Sequence, residues 1–173
     1  MADNQQPSSS SPSSPAHLRP YTGSCHCGAI RYRVLLDPHN LNPARCNCSI
    51  CHKKGNLILE VADPSSSFTL LQPSSWASPE LGDYTFGEGR VHHYFCKTCG
   101  VSVFTRGTYV VEGTEVEFLS VNGLTVDQGS GKEEGEGEGG GLDLRKVKIG
   151  YWNGREDDWK SGMRGEPYPG GCV

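Results

Sequence analysis

An all-β domain of small antiparallel sheets is the fold this sequence predicts, and three observations predict it. Apolar residues recur with a period of two, turn-forming residues interrupt the chain at short intervals, and the composition is polar and glycine-rich, with 35% hydrophobic residues and 23 glycines among 173 residues. Glycine weakens helices and serves turns, so this balance favours short strands over long helices.

Residues 1–19 hold six serines and three prolines and almost nothing apolar. Such a segment buries too little surface to offset the entropy of ordering it, and it reads as a disordered tail. The alternation then begins. Ile30, Tyr32, Val34 and Leu36 alternate with Arg31, Arg33 and Leu35, the pattern of a half-buried strand. Similar short runs occupy residues 57–61, 68–71, 91–95, 101–105 and 116–121. Between them lie Asp37-Pro38, Asn42-Pro43, Asp63-Pro64, Gly87-Glu88-Gly89 and Asn122-Gly123, which are turn signals. Residues 128–141 alternate Gly and Glu, a composition that is flexible and self-repelling, and they read as a solvated insertion. A last strand-like run covers residues 147–152. The expected organisation is one domain over residues 20–169, carrying the 128–141 insertion and ending in a short tail, 170–173.

Composition also excludes function classes. No stretch approaches the roughly 20 apolar residues of a membrane span. The N-terminus lacks the charged and apolar regions of a signal peptide, which leads us to expect a cytoplasmic protein. The net charge of −4 includes −3 from one Lys and four Glu within residues 128–141, leaving the rest near neutral. Nucleic-acid binding through phosphates calls for a basic excess, and none is present.

In a reducing compartment eight cysteines point to metal or catalysis rather than disulfides. Seven of them cluster: Cys25 and Cys27; Cys46, Cys48 and Cys51; Cys96 and Cys99. Disulfides within Cys25-His26-Cys27 or Cys46-Asn47-Cys48 would be strained, whereas two thiolates can share one cation. Cys96-Lys97-Thr98-Cys99-Gly100 is a knuckle of the zinc-ribbon type, and its natural complement is the other two-ligand arm, Cys25 and Cys27. That division leaves three thiolates within six residues at Cys46, Cys48 and Cys51. Zinc favours thiolates and four-coordination, and a zinc with three protein ligands keeps a fourth position open, as catalytic sites do. The alternative is an imidazole from His52, His92 or His93 closing that position. Cys172, beside two glycines at the C-terminus, reads as incidental.

Three elements in this order carry a resemblance: Gly23-Ser24-Cys25-His26-Cys27-Gly28, then Cys46-Asn47-Cys48-Ser49-Ile50-Cys51-His52-Lys53-Lys54-Gly55, then Tyr94-Phe95-Cys96-Lys97-Thr98-Cys99-Gly100. Together they resemble the signature of the CENP-V/GFA family, named for glutathione-dependent formaldehyde-activating enzyme. The resemblance spans roughly residues 21–124. A weaker echo of fungal-type members lies in residues 146–169, around Tyr151-Trp152-Asn153-Gly154-Arg155 and Trp159.

It implies an Mss4-like fold, a β-tent, with two zinc ions per chain. One would be structural, on Cys25, Cys27, Cys96 and Cys99, and one catalytic, on Cys46, Cys48 and Cys51. The implied activity is that of a carbon-sulfur lyase making or breaking an adduct between a thiol such as glutathione and an aldehyde, or cleaving a related thioether. Lys53, Lys54 and Arg45 are candidate contacts for substrate carboxylates, or simply solvated charges. The rival reading is a zinc-stabilised interaction module without turnover, since fold alone does not decide activity.

Overall fold

The structure, a computed structural model, describes residues 17–111, 113–128 and 141–171. The 1–19 tail and the acidic insertion expected from the sequence fall almost wholly outside these residues, as does Cys172. Among the described residues ten strands form two sheets. A three-stranded sheet contains β1 (Arg19–Ser24), β2 (Arg31–Leu36) and β5 (Phe68–Gln72), in the order β1-β2-β5. The other seven are β3 (Ala44–Cys46), β4 (Ile58–Glu60), β6 (Leu81–Tyr84), β7 (Val91–Cys96), β8 (Ser102–Val111), β9 (Thr114–Asn122) and β10 (Gly150–Trp152). They form one sheet in the order β10-β3-β4-β9-β8-β7-β6.

The alternation read in the sequence is realised in β2. Ile30, Tyr32, Val34 and Leu36 are buried, while Arg31 and Arg33 are exposed. Their buried face meets the larger sheet. Tyr32 packs edge-on against Phe104 of β8, with ring centroids 6.1 Å apart, and stacks on Phe68 of β5 at 5.6 Å. Trp76 adds to this cluster, 5.2 Å from Phe104 and 5.1 Å from Tyr94. Offset and edge-to-face aromatic pairs at such distances add to the area they bury. The Tyr32 hydroxyl bonds the Thr125 hydroxyl at 2.8 Å, so its polar end is satisfied inside the core.

Three strands, β1, β3 and β6, escape the periodicity, whereas β10 falls within the run expected over residues 147–152. β1 carries a single large apolar residue, Tyr21, β3 is too short for alternation to register, and β6 carries Gly82, whose missing side chain admits the Phe95 ring. The sheet is also mixed, because β10 runs parallel to β3. A helix, α1 (Ser49–Lys54), lies where the sequence shows no helical pattern. At six residues it is too short to persist alone and is held by its tertiary setting. A second short helix, α2 (Pro64–Ser67), is capped by Asp63, which accepts from the Ser65 amide at 3.0 Å.

Candidate metal centres

The fold brings the seven cysteines into the two sets anticipated. Cys25, Cys27, Cys96 and Cys99 form one group, and Cys46, Cys48 and Cys51 the other, with sulfurs in each set within 4.8 Å of one another.

In the first set two tight turns face each other. Cys25 and Cys27 follow β1, and Gly28 takes a left-handed φ of 77° so that its amide returns to the Cys25 carbonyl at 3.1 Å. Cys96 ends β7, and Gly100, with φ of 75°, returns to the Cys96 carbonyl at 2.8 Å. Each turn aims backbone amides at sulfur. The Ile30 amide donates to Cys25 Sγ at 3.3 Å, and the amides of Val101 and Cys27 hold the Cys99 thiol down to about 6. The Cys25–Cys27 and Cys27–Cys96 sulfur distances are both 3.6 Å. A tetrahedral site with metal–sulfur bonds of about 2.3 Å has sulfur–sulfur edges of about 3.8 Å, so this donor set fits zinc with little adjustment. Cys25 and Cys96 are fully buried. A closed cage of this kind joins the entry to β2 with the turn between β7 and β8.

The second set is built on a strand-to-helix turn. Cys46 ends β3, Cys48 is the N-cap of α1 with extended backbone (φ −63°, ψ 155°), and Cys51 lies in the first helical turn. The Cys48 amide donates to Cys46 Sγ at 3.4 Å. No side chain caps the helix, which leaves the Cys48 thiol to face the other two sulfurs. Hydrogen bonds from the Cys46 and Cys51 thiols pull the Cys48 thiol down to about 2, whereas Cys46 and then Cys48 push the Cys51 thiol up. Three thiols this close cannot all ionise beside one another without a cation, and a divalent metal removes that conflict. Among the described residues no His, Asp, Glu or further Cys places a ligand atom within this group.

The candidate fourth ligands lie elsewhere. His52 is exposed on α1, and His92 pairs with Asp83 at 2.8 Å. His93 is buried and meets the Lys54 ammonium, with Nζ 3.2 Å from Nδ1. Of the candidate cationic contacts, Lys53 is exposed and Lys54 turns inward to His93. Arg45 alternates with Cys46 along β3, which directs the two side chains to opposite faces of the strand.

The sequence gives little warning of the clamp over this second set. Asn47 is buried between Cys46 and Cys48 and bonds the chain near the C-terminus through both ends of its amide. Its Nδ2 donates to Asn153 Oδ1 at 2.9 Å, and its Oδ1 accepts from the Arg155 amide at 2.8 Å. The Asn47 amide also donates to the Trp152 carbonyl at 3.2 Å. Gly154 is thereby pressed onto the cluster: a Cβ there would stand 2.4 Å from Cys46 Sγ and 3.0 Å from the Trp159 ring. The last described glycines, Gly170 and Gly171, lie against Arg155 and Asn47. The faint signal available in the sequence was Gly154 within the Tyr151–Arg155 run.

Comparison with known proteins places these features. Residues 20–134 match the family model described as glutathione-dependent formaldehyde-activating enzyme. A Halomonas elongata relative, named for glutathione-dependent formaldehyde activation, is 61% identical over 31 residues, 18% of this chain. That match spans 19% of the relative's length. The crystal structure of a Rhodobacter sphaeroides protein superposes with a TM-score of 0.46 at 24% identity, over 65% of this chain and 91% of the other. The clamp formed by residues 150–171 lies beyond the family match.

Proposed function

We propose, from the premise that this chain belongs to the glutathione-dependent formaldehyde-activating enzyme family, that it is a zinc-dependent carbon-sulfur lyase that makes or breaks a thiol–aldehyde adduct. In this reading the chain binds two zinc ions. Cys25, Cys27, Cys96 and Cys99 hold a structural ion, while Cys46, Cys48 and Cys51 hold the catalytic one. The thiol is glutathione or a relative, its partner an aldehyde, and the setting cytoplasmic. The enzyme domain is taken to be residues 20–169, preceded by the Ser/Pro-rich tail, interrupted by the 128–141 insertion and followed by the short 170–173 tail.

The observation that carries the reading is the three-thiol group at the β3–α1 turn, to which no described residue adds a fourth ligand. When bound there, zinc would supply a Lewis acid that lowers the pKa of a coordinating thiol. The chain's own residues do the rest. Three thiolates leave the site electron-rich, which suits a nucleophilic thiolate better than the acidification of water. Asn47 and Gly154 hold the Cys46 loop in one position, so the sulfurs are fixed before substrate arrives. The incoming thiolate adds to the carbonyl carbon, the carbonyl electron pair moves to oxygen, and a proton completes the hydroxyl. Reversal breaks the carbon–sulfur bond.

Glutathione and formaldehyde combine unaided, so rates rather than endpoints test this function. Exchange spectroscopy at equilibrium is expected to show faster interconversion with the wild-type protein than with Cys48→Ser at equal concentration. Equal rates for the two proteins would overturn the proposal.

A further inference from the structure

His93 is 6% exposed, yet its Nε2 finds no hydrogen-bond partner among the described residues. Buried polar atoms are nearly always paired, because an atom left unpaired in the interior loses its bond to water and gains none in return. Such an atom beside a reactive site calls for a partner that arrives with the substrate.

The other ring nitrogen fixes what Nε2 is. Lys54 Nζ lies 3.2 Å from His93 Nδ1. An ammonium has donors and no acceptor, so Lys54 donates and Nδ1 accepts. A neutral imidazole accepting at Nδ1 carries its proton at Nε2. The orphan is therefore an N–H donor. Burial first and the Lys54 charge second hold the His93 pKa down to about 4, which keeps the ring neutral near pH 7. Phe86 stacks on the ring at 5.5 Å with planes 8° apart, and so fixes its orientation.

The same residues tie His93 to the three-thiol group. Lys54 stands three positions after Cys51 on α1, and residues three apart share a helix face. Through Lys54, His93 is joined to the helix that carries Cys51, and it is not one of the three-thiol group.

We propose that His93 Nε2–H, held in that tautomer by Lys54, donates a hydrogen bond to the aldehyde oxygen at the Cys46, Cys48 and Cys51 site as the carbon–sulfur bond forms or breaks. The proposal rests on the lyase reading above. As sulfur bonds to carbon, the carbonyl pair moves onto oxygen, and the donor meets the charge that develops there. Solvent receives the proton the thiol gives up and returns one to the oxygen, so nothing is oxidised or reduced. In reverse the hydroxyl proton leaves and the carbon–sulfur pair stays on sulfur.

Two kinds of measurement test it, on full-length zinc-loaded protein. Long-range ¹H–¹⁵N correlation is expected to show His93 protonated at Nε2. That proton should move downfield when glutathione and formaldehyde are added together, and not with glutathione alone. In exchange spectroscopy His93→Phe is expected to lose about a hundredfold of the acceleration, the scale of one oxyanion donor. Zinc content and glutathione affinity by calorimetry should be unchanged, and His93→Gln, which keeps a terminal N–H, should recover part of the rate. Lys54→Met retains the ring and removes the lock, so it should give mixed tautomers and an intermediate rate even if His93→Phe fails to fold. A proton on Nδ1 in the wild type, or full acceleration by His93→Phe, overturns the donor role while leaving the lyase reading intact. A wild type that accelerates nothing overturns the lyase reading itself.

Discussion

Single residues set the tolerance of the second candidate metal centre. Gly154 is there because the clamp comes so close to Cys46 that a methyl group would collide with the Cys46 sulfur. A backbone contact of that kind cannot be relieved by a rotamer change, so the clamp or the sulfur must move. Gly154→Ala is expected to weaken metal at Cys46, Cys48 and Cys51 and to spare the four-cysteine site. Metal titration with a competing chelator checks this: the variant should release one equivalent at lower chelator than the wild type, with the second equivalent unchanged. Loss of both together, or of neither, would contradict the packing described. Asn47 works at the same scale, since its amide is matched at both ends to Asn153 and Arg155.

At the scale of elements the two centres differ in what they join. The four-cysteine group links the turn after β1 to the turn after β7, elements about 70 residues apart in a chain whose core is thin. The three-cysteine group lies within one strand-to-helix turn, so its sulfurs are neighbours whether or not a metal is bound. Structural zinc contributes roughly 10 kcal/mol or more to the folding of small modules. Cys96→Ser is therefore expected to unfold or aggregate the protein, while Cys48→Ser leaves it folded with a disabled site. Far-ultraviolet circular dichroism and thermal melting decide between these outcomes, and equal loss of structure in both variants would show that the roles are wrongly divided.

For the whole molecule the two groups together imply a count. Seven thiols in two sets, each within 4.8 Å, cannot be served by one ion. Purified protein is expected to carry two zinc equivalents by elemental analysis, and a single equivalent, or cysteines paired as disulfides, would overturn that reading. No described helix is long and apolar enough to cross a membrane. The aromatic cluster of Tyr32, Phe68, Trp76 and Phe104 holds the two sheets together independently of metal, which is why loss of the second centre alone should leave the fold standing.

Legible in the sequence were the β class and most strands, from short-range periodicity, and the sorting of seven cysteines into two sets, from the matching of two-residue arms, although the meeting of Cys27 with Cys96 across 69 positions is tertiary. The alternation through Tyr32 and Val34 fixes which face is buried, and cysteines two or three residues apart reach one cation whatever surrounds them. The sequence did not reveal α1, β1, β3 or β6, whose lengths of three to six residues leave no period to read and whose stability comes from neighbours. Only the tertiary structure decided that residues 150–171 close over Cys46, because the pairing of Asn47 with Asn153 spans 106 positions with no local signature. It alone also distinguished the two adjacent histidines. Strand alternation puts His92 and His93 on opposite faces, but only packing buries His93 against Lys54 and Phe86 and leaves His92 to pair with Asp83 near the surface.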